Sequence, residues 1–533
     1  MKKLPLGIQN FREIVEENHV YVDKTKYVYD LINSGKCFFL SRPRRFGKSL
    51  FLDTIAEVFK GNKELFKGLW IYDSDYEFKS YPIVRIDMSG VNTASPDLFI
   101  SSLLASMQFY ISRENIHINH DDPSVLLSGY IKELHNKYFT KVVVLIDEYD
   151  KPILDNIEDI EIAEANRTIL RSFYGVLKSL DPYLKFTFLT GVSKFAKTSV
   201  FSSLNNLSDI TMNENYANIC GVPVNDLETY FRDRIESLAD HEHYKTYENM
   251  RDRILFWYDG YSWDGKTKLL NPYGLLSFFF ARNFKSFWYV SGSPKFLIEL
   301  LKSRPEDVPK LKNMTISEAD MDVIDIQSLG IGSLFFQTGY LTLKEIITYP
   351  DASPDYLLEI PNHEVKEAFF KHITAGLAER TYDFASGVFR EIRKALRTGD
   401  LQGILTVLKS LFAAIPYQLN VNSEAYFHSI FFCIMNVLGF NIDAEVSVSG
   451  GRIDAALELA DKAYIFEFKY ETCEPDADDG KKRKIFEKTL TRGMKQLSDR
   501  GYADKYKGSG KTVYIAVFAF LGRDNIEMKS QVL

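Results

Sequence analysis

Short runs of consecutive apolar residues alternate with helical patterns through the first 215 residues of the chain. Apolar side chains at successive positions are typical of a parallel strand that helices cover on both faces. The helical stretches between the runs then serve as crossover connections. We therefore predict an α/β domain with a parallel sheet for residues 1–215. The predicted strands are Cys37–Leu40, Ile83–Ile86, Val142–Ile146 and Phe186–Leu189.

The pattern changes between residues 216 and 375, where helical stretches dominate. Two short apolar segments, Gly339–Leu343 and Tyr356–Ile360, predict the strands of a hairpin, and a helix is expected after Pro361. Helices followed by a hairpin favour a winged-helix module, so we predict a helical, winged-helix-like lid for residues 216–375. Residues 376–415 carry a further helical pattern and are predicted to form a helical linker.

A second α/β unit is predicted for residues 416–533, because a helical pattern is again followed by apolar runs of strand length. Its predicted elements are a helix from Ser423 and strands around Val446, at Ile453–Leu457, at Tyr464–Phe468 and at Val513–Phe520.

A phosphate-binding loop is predicted directly after the first strand. Strand, Gly-Lys-Ser and helix follow one another there, which is the context that a P-loop requires. Backbone N–H groups at the start of the helix would point at phosphate oxygens, Lys48 would bind the β- and γ-phosphates, and Ser49 would bind Mg²⁺. Because Arg42 replaces the first glycine of the usual pattern, a basic loop that only caps a helix is the alternative. The residues predicted to hold nucleotide in this loop are Arg44, Arg45, Phe46, Gly47, Lys48 and Ser49.

Two acidic residues follow the most apolar strand, Val142–Ile146. In this Walker B arrangement Asp147 would hold Mg²⁺ and Glu148 would polarise the attacking water. Thr190, at the end of the next strand, is predicted to sense the γ-phosphate, and a threonine that only caps the following turn is the alternative. Gly-Lys-Ser after one strand and Asp-Glu after another together predict binding and hydrolysis of ATP with Mg²⁺.

A second cluster of charged residues lies on two strands near the C-terminus. Glu467 and Lys469 share one face of their strand because side chains alternate, and Asp454 lies on the strand before it. Two carboxylates make an oxygen site suited to Mg²⁺ or Mn²⁺, and Lys469 would position the attacking water. Glu424, on an upstream helix, is a candidate third carboxylate ligand, and a surface glutamate near a helix start is the alternative.

The spacing of this cluster, D-x₁₂-E-x-K, is that of PD-(D/E)XK nucleases, although charged residues on an exposed strand face also produce it by chance. Gln496 and Tyr502 are downstream candidates for contacting substrate, or else surface residues. The basic run Lys481–Lys484 predicts a loop, which we interpret first as solvated and mobile and second as a contact for a phosphate backbone.

Composition narrows the class of protein. The chain has 533 residues, 45% of them apolar and 26% charged, with a formal net charge of −7. These proportions are ordinary for globular domains. The negative net charge argues against a chain coated with nucleic acid or lying on an anionic membrane. The net charge does not exclude a local basic groove.

Cysteine usage and the N-terminal sequence predict the compartment. The cysteines form no C-x-x-C pair, which favours free thiols in a reducing environment over a zinc or redox site. The first residues, MKKLPLGIQNFREI, lack the apolar run of a signal peptide, and the most apolar stretch, Leu275–Ala281, is too short to span a bilayer. We therefore predict a cytoplasmic protein without a membrane partner.

Several motifs in combination resemble a large, mostly bacterial family in which an AAA-ATPase-like domain is fused to a PD-(D/E)XK nuclease domain. The resemblance spans nearly the whole chain. It implies that the Arg-Pro-Arg-Arg-Phe sequence before Gly-Lys-Ser is a family trait, and it implies the winged-helix-like lid. The segments that carry it are Leu4–Ile8, Tyr21–Thr25, Arg42–Ser49, Ile146–Pro152, Thr190–Phe195, Trp257–Tyr261, Thr338–Thr342, Gly451–Asp454 and Glu467–Lys469.

We therefore predict a protein that binds and hydrolyses ATP and carries a metal-dependent nuclease domain that acts on DNA under nucleotide control. A nucleotide-driven switch whose C-terminal domain only binds nucleic acid is one alternative, and an ATPase with an inert nuclease domain is another. The sequence leaves open the type of nucleic acid, any target site and whether the chain forms a homo-oligomer.

Overall fold

The structure is a computed structural model, and its described part divides into two units. The first unit consists of residues 1–292 and 312–365, and the second of residues 293–311 and 366–533. The described residues are 1–194, 200–201, 204, 206–241, 246–290, 295–304, 307–321, 330–413, 424–439, 441–445, 452–471, 478–499, 506, 509–521 and 525–533.

Helices and strands are interspersed along the chain. The strands are β1 (Cys37–Ser41), β2 (Ile83–Asp87), β3 (Val142–Asp147), β4 (Leu184–Gly191), β5 (Ser208–Asp209), β6 (Val222–Pro223), β7 (Leu269–Leu270), β8 (Met314–Ser317), β9 (Thr342–Ile347), β10 (Asp355–Glu359), β11 (Asn441–Glu445), β12 (Arg452–Glu458), β13 (Lys462–Glu471), β14 (Thr512–Leu521) and β15 (Asn525–Val532). The helices are α1 (Phe11–Glu16), α2 (Thr25–Ser34), α3 (Lys48–Phe59), α4 (Pro96–Arg113), α5 (Pro123–Tyr138), α6 (Lys151–Leu154), α7 (Ile160–Ser179), α8 (Val224–His241), α9 (Tyr247–Tyr258), α10 (Pro272–Ala281), α11 (Phe287–Val290), α12 (Lys295–Ser303), α13 (Glu318–Met321), α14 (Ile331–Thr338), α15 (His363–Leu377), α16 (Tyr382–Thr398), α17 (Leu401–Ala413), α18 (Glu424–Leu438) and α19 (Asp479–Asp499).

The first unit is built on a parallel sheet in the order β2-β3-β4-β1-β5. The prediction of a parallel α/β sheet is confirmed, and each of the predicted apolar runs forms one of its strands. Strands β1 and β3 are buried along their whole length, which is why their sequences are apolar at nearly every position. The additional edge strand β5 was not predicted because its two residues, Ser208 and Asp209, are polar.

The predicted hairpin forms from β9 and β10, and β8 extends it into an antiparallel sheet in the order β8-β10-β9. Its first strand begins later than predicted, at Thr342. Gly339 ends α14 in a left-handed conformation, with φ 89°, and therefore belongs to a helix cap rather than to a strand. The predicted helical pattern from residue 376 onward is also confirmed as far as residue 413, mainly as α16 and α17.

The second unit contains a mixed sheet in the order β11-β12-β13-β14-β15. Strands β11, β12 and β13 are antiparallel, whereas β13 and β14 are parallel and are joined through α19. Apolar side chains of α19, among them Leu490 and Leu497, pack in one core cluster with Ile515 and Val517 of β14. The predicted position of a strand at Val446 lies outside the described residues, directly after β11.

The prediction of a basic loop at Lys481–Lys484 is wrong, because these residues form the first turns of α19. The carboxylate of Asp478 accepts a hydrogen bond from the backbone N–H of Lys481 at 2.7 Å and so satisfies a free donor at the helix start. The acidic stretch before the basic run therefore supplies a helix cap.

None of the helices in the described residues has the length and the apolar character that crossing a membrane requires.

Two helical glycines of the second unit provide a matched test of this packing. A Cβ added at Gly493 of α19 would lie 2.6 Å from Val517 Cγ1, so Gly493→Ala should push the helix off the sheet and cost about 1–3 kcal/mol of unfolding free energy. At Gly387 of α16 the nearest neighbouring atom, Arg390 Nη2, is 4.0 Å away, so Gly387→Ala should stabilise by about 0.5–1 kcal/mol. Urea unfolding of the full-length chain measures both, and equal shifts would contradict the close approach of α19 to β14.

Candidate functional site

The carboxyl ends of three neighbouring parallel strands bring the predicted nucleotide residues to one edge of the sheet. Strand β4 lies between β1 and β3, so that Leu40 pairs with Thr190 and Ile146 pairs with Leu189. Beyond these pairs, β1 leads into the loop before Lys48 and β3 ends at Asp147. In open parallel sheets this edge is where ligands bind.

The loop before α3 has the shape and the free space that a phosphate group needs. Gly47 adopts a left-handed conformation, with φ 95°, and no described atom lies within 4 Å of where its Cβ would stand. Helix α3 begins at the next residue, so its N-terminal N–H groups face this space. The buried Lys48 amine donates hydrogen bonds to the carbonyl oxygens of Arg42 and Pro43, each at 3.0 Å. The residues present therefore fit a bound phosphate chain.

The acidic tip of β3 lies beside the loop. The buried carboxylate of Asp147 accepts hydrogen bonds from the Ser49 hydroxyl and from the backbone N–H of Glu148, the latter at 3.0 Å. Burial raises the pKa of Asp147, and the Ser49 hydrogen bond and Lys48 partly offset this. A serine hydroxyl and a carboxylate at one point offer the oxygen ligands that Mg²⁺ prefers, so the residues fit that ion.

Glu148 stands next to Asp147 in a left-handed backbone conformation, with φ 49°. This conformation is uncommon for residues other than glycine and turns the side chain away from the course of the strand. Burial raises the pKa of Glu148, while the Lys48 ammonium lowers it. The carboxylate is thus electrostatically coupled to the loop lysine.

Thr190 lies at the end of β4, between the loop and the acidic tip. Its side chain is fully buried, and its hydroxyl has no hydrogen-bond partner among the described residues. An unsatisfied buried hydroxyl costs free energy, so a ligand or water that reaches this atom would be favoured.

Asp150 fixes the segment that follows β4. Its buried carboxylate accepts hydrogen bonds from the backbone N–H groups of Val192 and Ser193, at 3.0 Å and 2.6 Å, and from the Ser193 hydroxyl. Gly191 makes the approach possible, because a Cβ there would lie 2.4 Å from Asp150 Oδ1. The turn after β3 and the turn after β4 are therefore tied together.

Arg42, at the position of the missing glycine, is a buried structural anchor. Its guanidinium donates hydrogen bonds to the carbonyl oxygens of Thr211, at 2.9 Å, and Tyr216, at 3.2 Å, and lies 4.1 Å from the ring centre of Trp263. Burial lowers the pKa of Arg42 to about 10, so it stays charged at neutral pH. The arginine thus joins the loop to residues later in the chain.

The tip of the loop is held by aromatic residues from the middle of the chain. The fully buried Phe46 ring packs edge-on against Tyr261, at a centroid distance of 4.8 Å. Trp288 donates from Nε1 to the Arg44 carbonyl oxygen at 2.9 Å. The side chains of Arg44 and Arg45 are exposed at this tip.

The second candidate site lies on the sheet of the second unit. Asp454 of β12 pairs directly with Glu467 of β13. The buried Lys469 amine lies 2.5 Å from Glu467 Oε1 and donates to Gln496 Oε1 on α19 at 3.0 Å. The fold therefore brings Glu467, Lys469 and Gln496 into one cluster, with the backbone of Asp454 beside it.

Other predicted residues of this site lie outside what the structure describes, namely the side chains of Glu424 and Asp454 and all of Tyr502. The backbone of Glu424 begins α18. Within the described residues, no group of three or more His, Cys, Asp or Glu side chains could hold a metal ion. The buried Glu467 carboxylate is an oxygen ligand of the kind that divalent ions take.

The functional residues that the sequence did not reveal are those with distant partners. The Asp150 contact with the β4 turn was hidden in the acidic run after β3, and the Trp288 contact with the loop has no local pattern at all. Arg42 was visible only as a departure from the P-loop pattern.

These two sites define a chain that joins a P-loop α/β unit to an α/β unit with the PD-(D/E)XK arrangement. Residues 5–201 match the family model of a predicted AAA-ATPase, and residues 422–529 match that of the PD-(D/E)XK nuclease superfamily. A relative from Azotobacter chroococcum mcd 1, described as an uncharacterized protein in the vnfD 5' region, is 36% identical over 526 residues, which cover 96% of this chain and 95% of the relative. The chain belongs to the family of AAA-ATPase-like proteins with a C-terminal PD-(D/E)XK nuclease superfamily domain.

The Asp150 contacts generate a stability test. Asp150→Asn places an amide group against three donors, so we expect a loss of about 3 kcal/mol in unfolding free energy. Asp155→Asn is the matched control, since Asp155 only forms an i,i+4 pair with Lys151 and should contribute about 0.5 kcal/mol or less. Thermal unfolding of both variants measures the difference. Similar losses would show that Asp150 does not hold the β4 turn.

Proposed function

We propose that the first unit binds and hydrolyses ATP at the edge formed by β1, β4 and β3. The observation that carries this proposal is the hydrogen bond from Ser49 to Asp147 beside the open space in front of Gly47. Bound Mg²⁺ would neutralise charge on the β- and γ-phosphates. Ser49 and Asp147 would hold that ion, Lys48 would leave its loop carbonyls for phosphate oxygens, and the exposed Arg44 and Arg45 would add positive charge at the loop tip.

Within this proposal Glu148 and Thr190 act at the γ-phosphate. The raised pKa of Glu148 supports a role as the group that orients and polarises the attacking water. The hydroxyl of Thr190, which has no hydrogen-bond partner within the described part of the chain, supports a contact with the γ-phosphate or with that water.

A pocket beside the loop supports nucleotide as the ligand. Its cavity volume is about 100 Å³, and it opens to solvent. Gly47 lines one side, and the other walls include Tyr21, Phe51, Phe231 and Leu276. A planar base placed there would be packed by apolar side chains while its phosphates reach the loop.

We propose that the second unit is a metal-dependent nuclease that acts on DNA. The pairing of Asp454 with Glu467, next to the buried Lys469, carries this proposal. Asp454 and Glu467, with Glu424 as a third ligand, would hold Mg²⁺ or Mn²⁺, which supplies Lewis-acid activation of the scissile phosphate. Lys469, steadied by Gln496, would position the attacking water and offset developing negative charge.

A line of exposed lysines on α19 supports a polyanionic substrate. Lys484, Lys488 and Lys495 are exposed and recur at spacings of four and seven, so they lie along one face of the helix. The same helix carries Gln496 into contact with Lys469. Cations along a helix that ends at the reacting groups would bind the backbone of a nucleic acid strand.

Nucleotide control of the nuclease is the further part of the proposal, and the presence of both domains in one chain supports it. The residues described give no helix able to cross a membrane, which is compatible with action on DNA in the cytoplasm.

The ATP site is tested by Lys48→Ala. Loss of a charge-assisted contact to phosphate should weaken ATP affinity about 10- to 100-fold. Lys60→Ala, at the end of the same helix, is the control, because Lys60 is largely exposed and pairs with Glu57. Titration calorimetry with ATP and Mg²⁺ measures both variants. An unchanged affinity of Lys48→Ala for ATP would show that the loop is not the phosphate site.

The nuclease site is tested on plasmid DNA with Mg²⁺ or Mn²⁺, with and without ATP, and with an RNA substrate in parallel. Lys469→Met and Asp454→Ala should each lower cleavage about 100-fold or more while ATP binding stays intact. Lys462→Met is the control on the same strand, since Lys462 pairs with Asp461 away from the cluster. Cleavage that persists in both site variants would refute the assignment. Equal cleavage with and without ATP, and in the Lys48→Ala variant, would show that nucleotide does not control the nuclease.

A further inference from the structure

A buried carboxyl group is bonded to the tryptophan that holds the tip of the phosphate loop. Glu364, in the first turn of α15, is 1% exposed. Its Oε1 atom accepts a hydrogen bond from the backbone N–H of Trp288 at 2.6 Å. Trp288 in turn donates from Nε1 to the Arg44 carbonyl oxygen at 2.9 Å. Two hydrogen bonds in series therefore connect Glu364 to the backbone of the loop.

The packing of Trp288 links these two hydrogen bonds mechanically. Trp288 is 5% exposed, and its ring lies against those of Tyr261 and Tyr340 at centroid distances of 6.2 Å and 5.4 Å. A close-packed ring leaves its rotamer only at a cost in free energy, so the indole follows its own backbone. By fixing the Trp288 backbone, Glu364 therefore also fixes the N–H group that bonds to Arg44.

The surroundings of Glu364 are polar but carry no counter-charge. The backbone N–H groups of α11 point at its carboxyl group, and α10 presents Gly274, where a Cβ would lie 2.9 Å from Oε2. The ionisable groups that interact with it are the phenols of Tyr258, on α9, and of Tyr261, and burial raises the pKa of both, so they stay neutral. Within the described part of the chain, no cationic side chain is among the groups that act on this carboxyl group.

Glu364 is therefore a neutral acid at physiological pH. Burial raises the pKa of Glu364 to about 8, and the N–H groups of α11 partly offset this. Its Oε2 atom has no hydrogen-bond partner among the described residues. Ionisation would turn this oxygen into a buried negative charge without a partner, which costs more free energy than burying the neutral acid.

We propose that Glu364 is a positioning residue for the phosphate loop, an inference that rests on the proposed ATP site. Through Trp288 it holds the Arg44 carbonyl group, and it thereby keeps the loop backbone in the arrangement that receives the phosphates of ATP. Loss of the carboxyl proton leaves a charge that only water can stabilise, so the segment around Trp288 opens and the loop loses this support. The affinity for ATP then falls as the pH rises through the pKa of Glu364.

The pH dependence of ATP binding separates this role from simple packing. By calorimetry with Mg²⁺, the wild-type chain should bind ATP up to about tenfold more weakly at about pH 9 than at about pH 7, because each pH unit above a pKa adds at most about a factor of ten. Glu364→Gln keeps an oxygen for the Trp288 N–H and has no proton to lose. It should match the wild-type affinity at neutral pH and lack this loss at alkaline pH. Titration of other groups, such as Lys48, is common to both proteins and cancels in the comparison.

A double-mutant cycle tests whether Glu364 acts through Trp288. Glu364→Leu removes the acceptor, whereas Trp288→Phe keeps a ring and removes the donor to Arg44. Each should weaken ATP binding about fivefold or more at neutral pH, the effect of about one lost hydrogen bond. The double variant should be within about twofold of the weaker single variant, because both changes break the same series of contacts.

Glu367→Gln is the matched control on the same helix. Glu367 Oε1 accepts a hydrogen bond from Lys371 at 2.7 Å, so this variant should keep the wild-type pH dependence. The same pH dependence in Glu364→Gln as in the wild type, or losses that multiply in the double variant, would overturn the inference and leave the ATP site standing. Should Glu364→Leu fail to fold, the comparison with Glu364→Gln decides alone. A wild-type chain that binds no ATP at either pH would overturn the ATP site as well.

Discussion

The parallel pairing of β4 with both β1 and β3 is the constraint on which the first site depends. This pairing aligns the ends of the three strands, so that a loop lysine and a carboxylate nearly 100 positions apart in sequence meet at one edge. Because β1 and β3 are buried on both faces, the pairing is held by apolar contacts that have no part in the chemistry. Lys48 and Asp147 therefore need no contact with each other to be positioned.

The second unit uses strand register in a different way. Antiparallel pairing puts Asp454 opposite Glu467, and the alternation of side chains keeps Lys469 on the same face as Glu467. A helix that follows in sequence then completes each site, α3 in the first unit and α19 in the second. In both units the strands carry the acidic groups, and the following helix carries Lys48 and Ser49 in the first unit and Gln496 in the second.

The sequence was sufficient to predict strands β1 to β4 and β12 to β14, because these contain longer runs of apolar residues. It was insufficient for β5 and β8, which are short and partly exposed, and for β15, an edge strand whose mostly exposed residues resemble a loop. The P-loop and D-x₁₂-E-x-K motifs were visible in the sequence because their spacing is local. The contacts of Trp288 and Glu364 were not, because their partners, Arg44 and Trp288, lie 244 and 76 positions away.

The aromatic contacts at the loop tip have a mechanical consequence. Phe46 is packed among rings that belong to the region after residue 260, and the Arg44 carbonyl is bonded to Trp288. A Cβ at Gly339 would lie 2.7 Å from Pro43, so the loop is also closely packed on this side. A loop with so many attachments does not flex as a separate flap. A displacement of its tip would therefore also displace the segments that hold Tyr261, Trp288 and Gly339.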